Sequence, residues 1–407
     1  MRLRATITAA LLLATIGLPA LVATPAWAAC PNMQIGDPPQ FTLPKDDSDN
    51  WVLARFGLSR LPRGVNGAGV VVAVLDSGVQ PAHQALAGRV DEANGRDLLE
   101  ASGATRGRED CRGHGTAVAS VIAGNGRAGF RGVAPSARIL PIRVNENEGQ
   151  QDQNGRPTSD QKIADGIDWA IAHGADVINI SFAYLGDAAD PDRHRVFADA
   201  IRRAVDNDVI VVAAVGNDAK ARDSFPANQP GVIGVGAINE RGQHWPDSTA
   251  GPFVDVSAPG FGVIAAYPKN NAYQAYQGTS FAAPIVAGTV ALLKQLHPKW
   301  KTADFIRQIT ATADRSPGGR NSRQYGAGVV DPVRAVTDQF AVGAAYQPPA
   351  AEVESEDPAL AAARQAASER RSRALWLALA ATAVSIIVLF SSSILRNGTQ
   401  RRWRSAE

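Results

Sequence analysis

Apolar positions along this chain fall into three patterns. Short continuous runs rich in β-branched residues recur at 70–75, 138–142, 177–180, 209–214 and 232–235. Runs of that length without polar alternation predict strands buried on both faces. Between them lie longer stretches with apolar residues three and four apart, at 115–123, 161–173, 195–207, 281–296 and 302–313. These predict helices, and residues 51–61 read as a shorter one. The alternation of the two predicts an α/β fold: a doubly wound, mostly parallel sheet with helices on both faces. Two polar loops interrupt it, at 98–112 and from Asn145 to Asp160. The second joins a strand to a helix where about two to six residues would suffice. It reads equally as an insertion or as a loop facing substrate or partner.

The third pattern marks the ends. Arg2 and Arg4 precede an apolar run over 5–22 and the small-x-small sequence Ala26-Trp27-Ala28, so residues 1–29 read as an export signal. Residues 30–50 are rich in Pro and Asp and form an extended arm. Residues 51–340 carry the strand and helix patterns and are one domain. Residues 341–373 are a Pro-rich and acidic linker. The uncharged, mainly apolar run 374–395 is long enough to cross a bilayer as one transmembrane helix. Basic residues flank it on both sides, so the export signal sets the orientation, with the domain outside and the basic tail 396–407 in the cytoplasm.

Composition narrows the class. The 407 residues carry a formal net charge of +2, and no basic stretch with interleaved aromatics occurs in the body of the chain, which argues against a nucleic-acid binder. No acidic cluster has calcium-loop spacing, so neither metal nor cofactor is expected. The two cysteines, Cys30 and Cys111, follow the export signal. An even pair in an oxidising compartment reads as one disulfide. Closing so long a loop would stabilise by about 4–5 kcal/mol on the chain-entropy model. Lipidation of Cys30 is the alternative, although bulky Trp27 stands where a lipidation signal has an aliphatic residue.

Three turns then draw attention. The run Val71-Val72-Ala73-Val74-Leu75 ends in Asp76, at the carboxyl end of a predicted strand, where open α/β sheets bind ligands. Gly113-His114-Gly115-Thr116 opens a predicted helix, and so does Gly278-Thr279-Ser280-Phe281. An alcohol becomes a nucleophile near neutral pH when a base takes its proton and an acid orients the base. Singly, each residue reads as a cap or a structural group; together they supply acid, base and nucleophile. A fourth buried run ends in Val215-Gly216-Asn217, whose amide can meet a developing oxyanion. His83, His173, His194, His244 and His297 show no such pattern and read as surface or structural.

The order Asp76, His114, Ser280, with Asn217 between the last two, resembles the subtilisin-like serine proteases, the subtilases. The resemblance implies a subtilisin-like fold, catalysis by Asp76, His114 and Ser280, and oxyanion binding by Asn217. It implies that Ser181, Phe182 and Ala183 pair with the substrate backbone, opposite Ala214, Val215 and Gly216 across the first specificity pocket. Ala183 and Val215 carry methyls where relatives are smaller, so a small or slender side chain is expected before the scissile bond. Phe225-Pro226-Ala227 and residues 254–260 also match subtilase positions and read as scaffold turns. Only about twenty residues separate Cys30 from the domain, too few for a folded prodomain.

The export signal, short Cys-bearing arm and C-terminal helix narrow the resemblance further. So do the motifs Asp110-Cys111-Arg112-Gly113-His114-Gly115-Thr116 and Gly326-Ala327-Gly328-Val329-Val330-Asp331-Pro332. Together they resemble the mycosins, membrane-anchored subtilases of type VII secretion systems. That implies an arm wrapped on the domain and held by a Cys30–Cys111 bond. It also implies protein substrates among secreted proteins and partners among the secretion membrane components. A general surface protease and a mainly structural secretion component are the other two readings. The second disulfide common in mycosins has no cysteines here.

Overall fold

The computed structural model describes residues 36–38, 41–43, 50–99, 105–146, 158–220 and 223–338. The export segment, Cys30, most of the arm, the centre of the second loop, the linker and the 374–395 run lie outside these. In chain order the elements are α1 Trp51–Phe56, β1 Val71–Asp76, β2 Arg96–Asp97, α2 His114–Ala123, β3 Arg138–Arg143 and α3 Asp160–Ala172. Next come β4 Val177–Ile180, β5 Tyr184–Leu185, α4 Arg195–Asp206, β6 Ile210–Ala214, β7 Ser224–Phe225 and β8 Val232–Ile238. The last are β9 Val256–Pro259, β10 Phe261–Tyr267, β11 Ala272–Gln277, α5 Thr279–Leu296, α6 Thr302–Thr312 and α7 Pro332–Thr337.

A seven-stranded sheet runs β2-β3-β1-β4-β6-β8-β9, and all its pairings are parallel. Strands β1, β3, β4, β6 and β8 are buried on both faces over nearly their whole length, as their mainly apolar runs require. In β1, Val72 and Val74 face a core shared with Val118 and Ile122 of α2 and Ile285 and Val286 of α5. Ala73 and Leu75 face a second core, with Ile163 and Ile167 of α3 and Phe197 and Ile201 of α4. Each such side chain contributes about 1.5–3 kcal/mol when fully buried. Helices on both faces make the sheet doubly wound. From β1 the chain goes to β3 on one side and later returns to β4 on the other. The carboxyl ends of β1 and β4 therefore flank a switch point, where such sheets bind ligands.

The structure also revises the strand reading. Residues 254–260 do not form only turns: Val256–Pro259 is β9, paired parallel with β8 at the sheet's edge. Its Ser-Ala-Pro composition hides it, because only Val256 of its four residues favours a strand. Phe225 is likewise half of a small ribbon, β7 pairing antiparallel with β5. The hairpin β10–β11 and the helix α7 had no sequence-based assignment. Among the described residues, α5 is the one helix long and apolar enough to cross a membrane, and its residues pack in the core. The two described pieces of the arm lie along the hairpin. Tyr267 donates to the Gly36 carbonyl at 2.9 Å, Lys269 pairs with Asp37 at 2.8 Å, and Phe41 and Leu43 pack near Phe130 and Tyr273.

Candidate active site

Asp76 is the last residue of β1 and is 3% exposed. Its Oδ1 accepts from the Ser77 backbone N–H at 2.7 Å and lies 2.8 Å from His114 Nδ1. His114 is the first residue of α2, after Gly113 in the left-handed region at φ 83. That bond directs Nε2, the opposite ring nitrogen, away from Asp76. The imidazole lies edge-on to Phe281, with centroids 5.4 Å apart, which places it beside the residue that follows Ser280.

The approach of β1 to α2 is set by backbone packing. A methyl on Gly115 would fall 2.1 Å from the Gly78 carbonyl oxygen, so these turns touch with no side chain between them. Behind them Asp110 acts as a clamp. Its carboxylate accepts from Ser77 Oγ, from Thr116 Oγ1, and from the backbone N–H groups of Arg112, Gly113 and Thr116. Burial and the neighbouring Asp76 charge lift its pKa above the usual carboxylate value, against the pull of those donors. Ser77 Oγ in turn accepts from Gly115 N–H at 3.0 Å. One carboxylate thus ties the Asp76 turn to the first turn of α2.

A second clamp lies below. Arg143, the register partner of Asp76 on β3, is fully buried. Its guanidinium meets Asp97 at 2.9 Å, Glu109 at 3.5 Å and Glu146, and donates to Cys111 Sγ at 3.3 Å. This holds the loop that delivers Asp110 and His114.

Ser280 is the second residue of α5. Gly278 before it sits at φ 136 and ψ 156, a conformation closed to other residues, and a methyl there would lie 3.2 Å from Asn217 Nδ2. Ser280 Oγ donates to the Ser181 carbonyl at 2.9 Å, and Ser181 Oγ donates back to the Ser280 carbonyl at 2.9 Å. The second bond has a cause in the sequence. Pro284 stands four residues on and has no N–H, so the Ser280 carbonyl loses its helical donor. The Ser181 hydroxyl takes that place, itself accepting from Asn179 Nδ2 at 2.9 Å.

Asn217 follows β6. Its Oδ1 accepts from both the N–H and the hydroxyl of Thr279 at 2.9 Å, which fixes the amide and leaves Nδ2 as its outward donor. The Thr279 hydroxyl also accepts from Gly216 N–H at 3.1 Å. The carboxyl ends of β1, β4 and β6 and the N-termini of α2 and α5 thus converge. The arrangement supplies an acid oriented on an imidazole, a hydroxyl at a helix N-terminus and an amide donor beside it.

The residues expected around the first specificity pocket follow β4 and β6. Phe182 and Ala183 are partly exposed; Ala214 and Val215 are buried. Val215 packs in the second core, so its methyls occupy space. Leu185 presses on Gly216: a methyl on that glycine would lie 2.5 Å from Leu185 Cδ2. Leu185, Asp110 and Thr279 carried no sequence-based role, although fixed spacing to His114 and Ser280 was a usable signal for the last two.

The Subtilase family model matches residues 67–328 of this chain. The chain is 34% identical over 287 residues to Subtilisin E of Bacillus subtilis (strain 168), covering 68% of this chain and 69% of that protein. It is also 34% identical over 343 residues to Mycosin-1 of Mycobacterium tuberculosis (strain ATCC 25618 / H37Rv), covering 73% and 75%. Among solved structures, the MycP3 protease from the type VII (ESX-3) secretion system matches with a TM-score of 0.64 at 31% identity, covering 73% of this chain and 91% of that one.

Proposed function

The chain belongs to the subtilase family, as a subtilisin-like serine endopeptidase related to the mycosins, and from that premise we propose how it acts. The observation that carries the reading is the 2.8 Å Asp76–His114 contact, at the rim where Ser280 opens α5. Ser280 Oγ attacks the peptide carbonyl carbon, and its proton passes to His114 Nε2. For this the hydroxyl swings from the Ser181 carbonyl towards the imidazole by rotation about Cα–Cβ. Asp76 holds the imidazole in the tautomer with hydrogen on Nδ1 and stabilises the imidazolium that forms. The C–O bond forms, the carbonyl electrons move to oxygen, and Asn217 Nδ2 with the Ser280 N–H meets the resulting charge. His114 then protonates the departing amine as the C–N bond breaks. Water, deprotonated by the same imidazole, hydrolyses the acyl-enzyme.

With Leu185 pressed on Gly216 and a methyl at Ala183, the pocket accepts a small side chain before the scissile bond. We place the domain outside the membrane, anchored by residues 374–395, in a type VII secretion complex whose secreted proteins it cleaves. Two things support this over a general surface protease. Among solved structures, the MycP3 protease of a type VII (ESX-3) secretion system matches over 73% of this chain and 91% of its own. The described arm segments also lie along the β10–β11 hairpin, as a wrapped arm would. The test is a peptide-library digest with the purified full-length chain, read by sequencing the new N-termini. Cleavage after Ala, Ser or Val is expected, and none with Ser280→Ala; a profile dominated by Phe or Arg would contradict the pocket reading. In cells, loss of the cleaved form of a secreted protein is expected with Ser280→Ala. Unchanged processing would remove proteolysis from the secretion role and leave the structural reading.

A further inference from the structure

The ribbon strand β5 follows Ala183 directly, yet it is two residues long and pairs only with two-residue β7. Such a ribbon does not hold its own position in water. Something else fixes Tyr184 and Leu185, and the structure shows what. The Tyr184 hydroxyl faces the Asp160 carboxylate at the start of α3; burial, and then that charge, push its pKa up to about 12. The Tyr184 ring stacks on His194 with centroids 4.1 Å apart and planes 21° apart. His194 precedes α4 and places Nδ1 2.8 Å from Asp160 Oδ2 and Nε2 2.7 Å from the Ala188 carbonyl oxygen. Phe225 of β7 lies beside the imidazole at 5.0 Å, and Phe197 of α4 meets Phe225 edge-on at 4.9 Å.

The His194 ring is held at both nitrogens, by the Asp160 carboxylate on one side and the Ala188 carbonyl on the other. One imidazole therefore ties the turn after β5, through Ala188, to the first residue of α3, while its face supports Tyr184. Asp160 pairs with His194 Nδ1 and faces the Tyr184 hydroxyl at a helix N-terminus, where negative charge is favoured. The next residue, Leu185, is the one pressed on Gly216, immediately before Asn217.

We infer that Asp160, His194 and Tyr184 form a latch that sets the width of the first specificity pocket, with His194 as a positioning residue that determines selectivity for the side chain before the scissile bond. The inference rests on the serine-endopeptidase reading above. With the latch intact, Leu185 stays on Gly216 and the strand at Ala183 cannot move outward. With it broken, β5 relaxes, the pocket opens, and larger side chains enter.

The test uses the full-length chain and its His194→Ala and Tyr184→Phe variants. A serine-directed fluorophosphonate titrates active sites, and kcat/KM is measured on matched peptides with Ala or Phe before the scissile bond. The expected result is a fall in the Ala-over-Phe ratio of about tenfold for His194→Ala, the scale of a modest change in pocket shape. A smaller fall in the same direction is expected for Tyr184→Phe, which keeps the stacked ring. A merely structural role lowers the titrated fraction and leaves the ratio alone. Normal titration with a ratio within twofold of wild type in both variants overturns the latch while leaving the protease reading intact. Absence of titration and turnover in the wild type overturns both.

Discussion

Two Asp–His pairs in this protein share one geometry. In each, Nδ1 lies 2.8 Å from a carboxylate oxygen, and in each the imidazole side chain is 13% exposed. What differs is the surroundings. The Asp76 side chain is 4% exposed and the Asp160 side chain 24%. His194 gives its second nitrogen to a backbone carbonyl, which accepts a hydrogen bond and can do nothing more. His114 stands beside the helix that begins with Thr279 and Ser280, with an amide donor fixed next to it. An Asp–His contact is therefore an orienting device in both places. Whether it turns into catalysis depends on what the other ring nitrogen can reach and on where developing charge would be stabilised.

Exchanging the acids separates the pairs most sharply. Asp76→Asn is expected to lower kcat by about 10⁴-fold, through loss of the productive tautomer. Asp160→Asn should change turnover by no more than about tenfold on any peptide and show itself in selectivity. Steady-state kinetics on titrated enzyme measures both, and equal losses would erase the distinction. Next in size is Asn217→Ala, which removes the amide donor that the His194 cluster lacks. A fall in kcat of about 10²–10³ with little change in KM is expected. A loss confined to KM would place Asn217 in ground-state binding.

The smallest effect concerns a partly buried carboxylate with no imidazole at all. Asp255 accepts from Gly234 N–H at 2.8 Å, and burial raises its pKa from 3.8 to about 6. The native state then holds its proton more tightly than the unfolded chain. The group's contribution is most favourable below pH 4 and is lost as pH rises through about 6. Above that, the ionised form costs about 3 kcal/mol. Asp255→Asn should raise the melting temperature at pH 8, with the gain vanishing near pH 4. A gain independent of pH would mean that the carboxylate's charge is not the cause.

Much of this was legible in the sequence because local pattern and chemistry coincided there. The five central strands are mainly apolar runs, and Asp76, His114, Ser280 and Asn217 each sit at a Gly-marked turn where such a run starts or stops. The edge strand β9 was hidden by its short Ser-Ala-Pro sequence, and β5 and β7 are too short for any periodicity. The latch was invisible for a different reason. Asp160 and His194 are 34 residues apart, on either side of β4, and neither lies in a motif. Only the packing of α3, α4 and the β5 turn brings them together. The clamp at Asp110 is intermediate. Its spacing to His114 and Thr116 was in plain view, but that it accepts from five donors is a fact of the folded turn.

The central claim is that Asp76 and His114 activate Ser280. Intact-mass analysis after reaction with a fluorophosphonate tests it most directly. The account predicts one covalent adduct per chain, mapped by peptide sequencing to Ser280, absent in Ser280→Ala and formed far more slowly in Asp76→Asn. An adduct on another residue, or none on the folded wild-type protein, would contradict it.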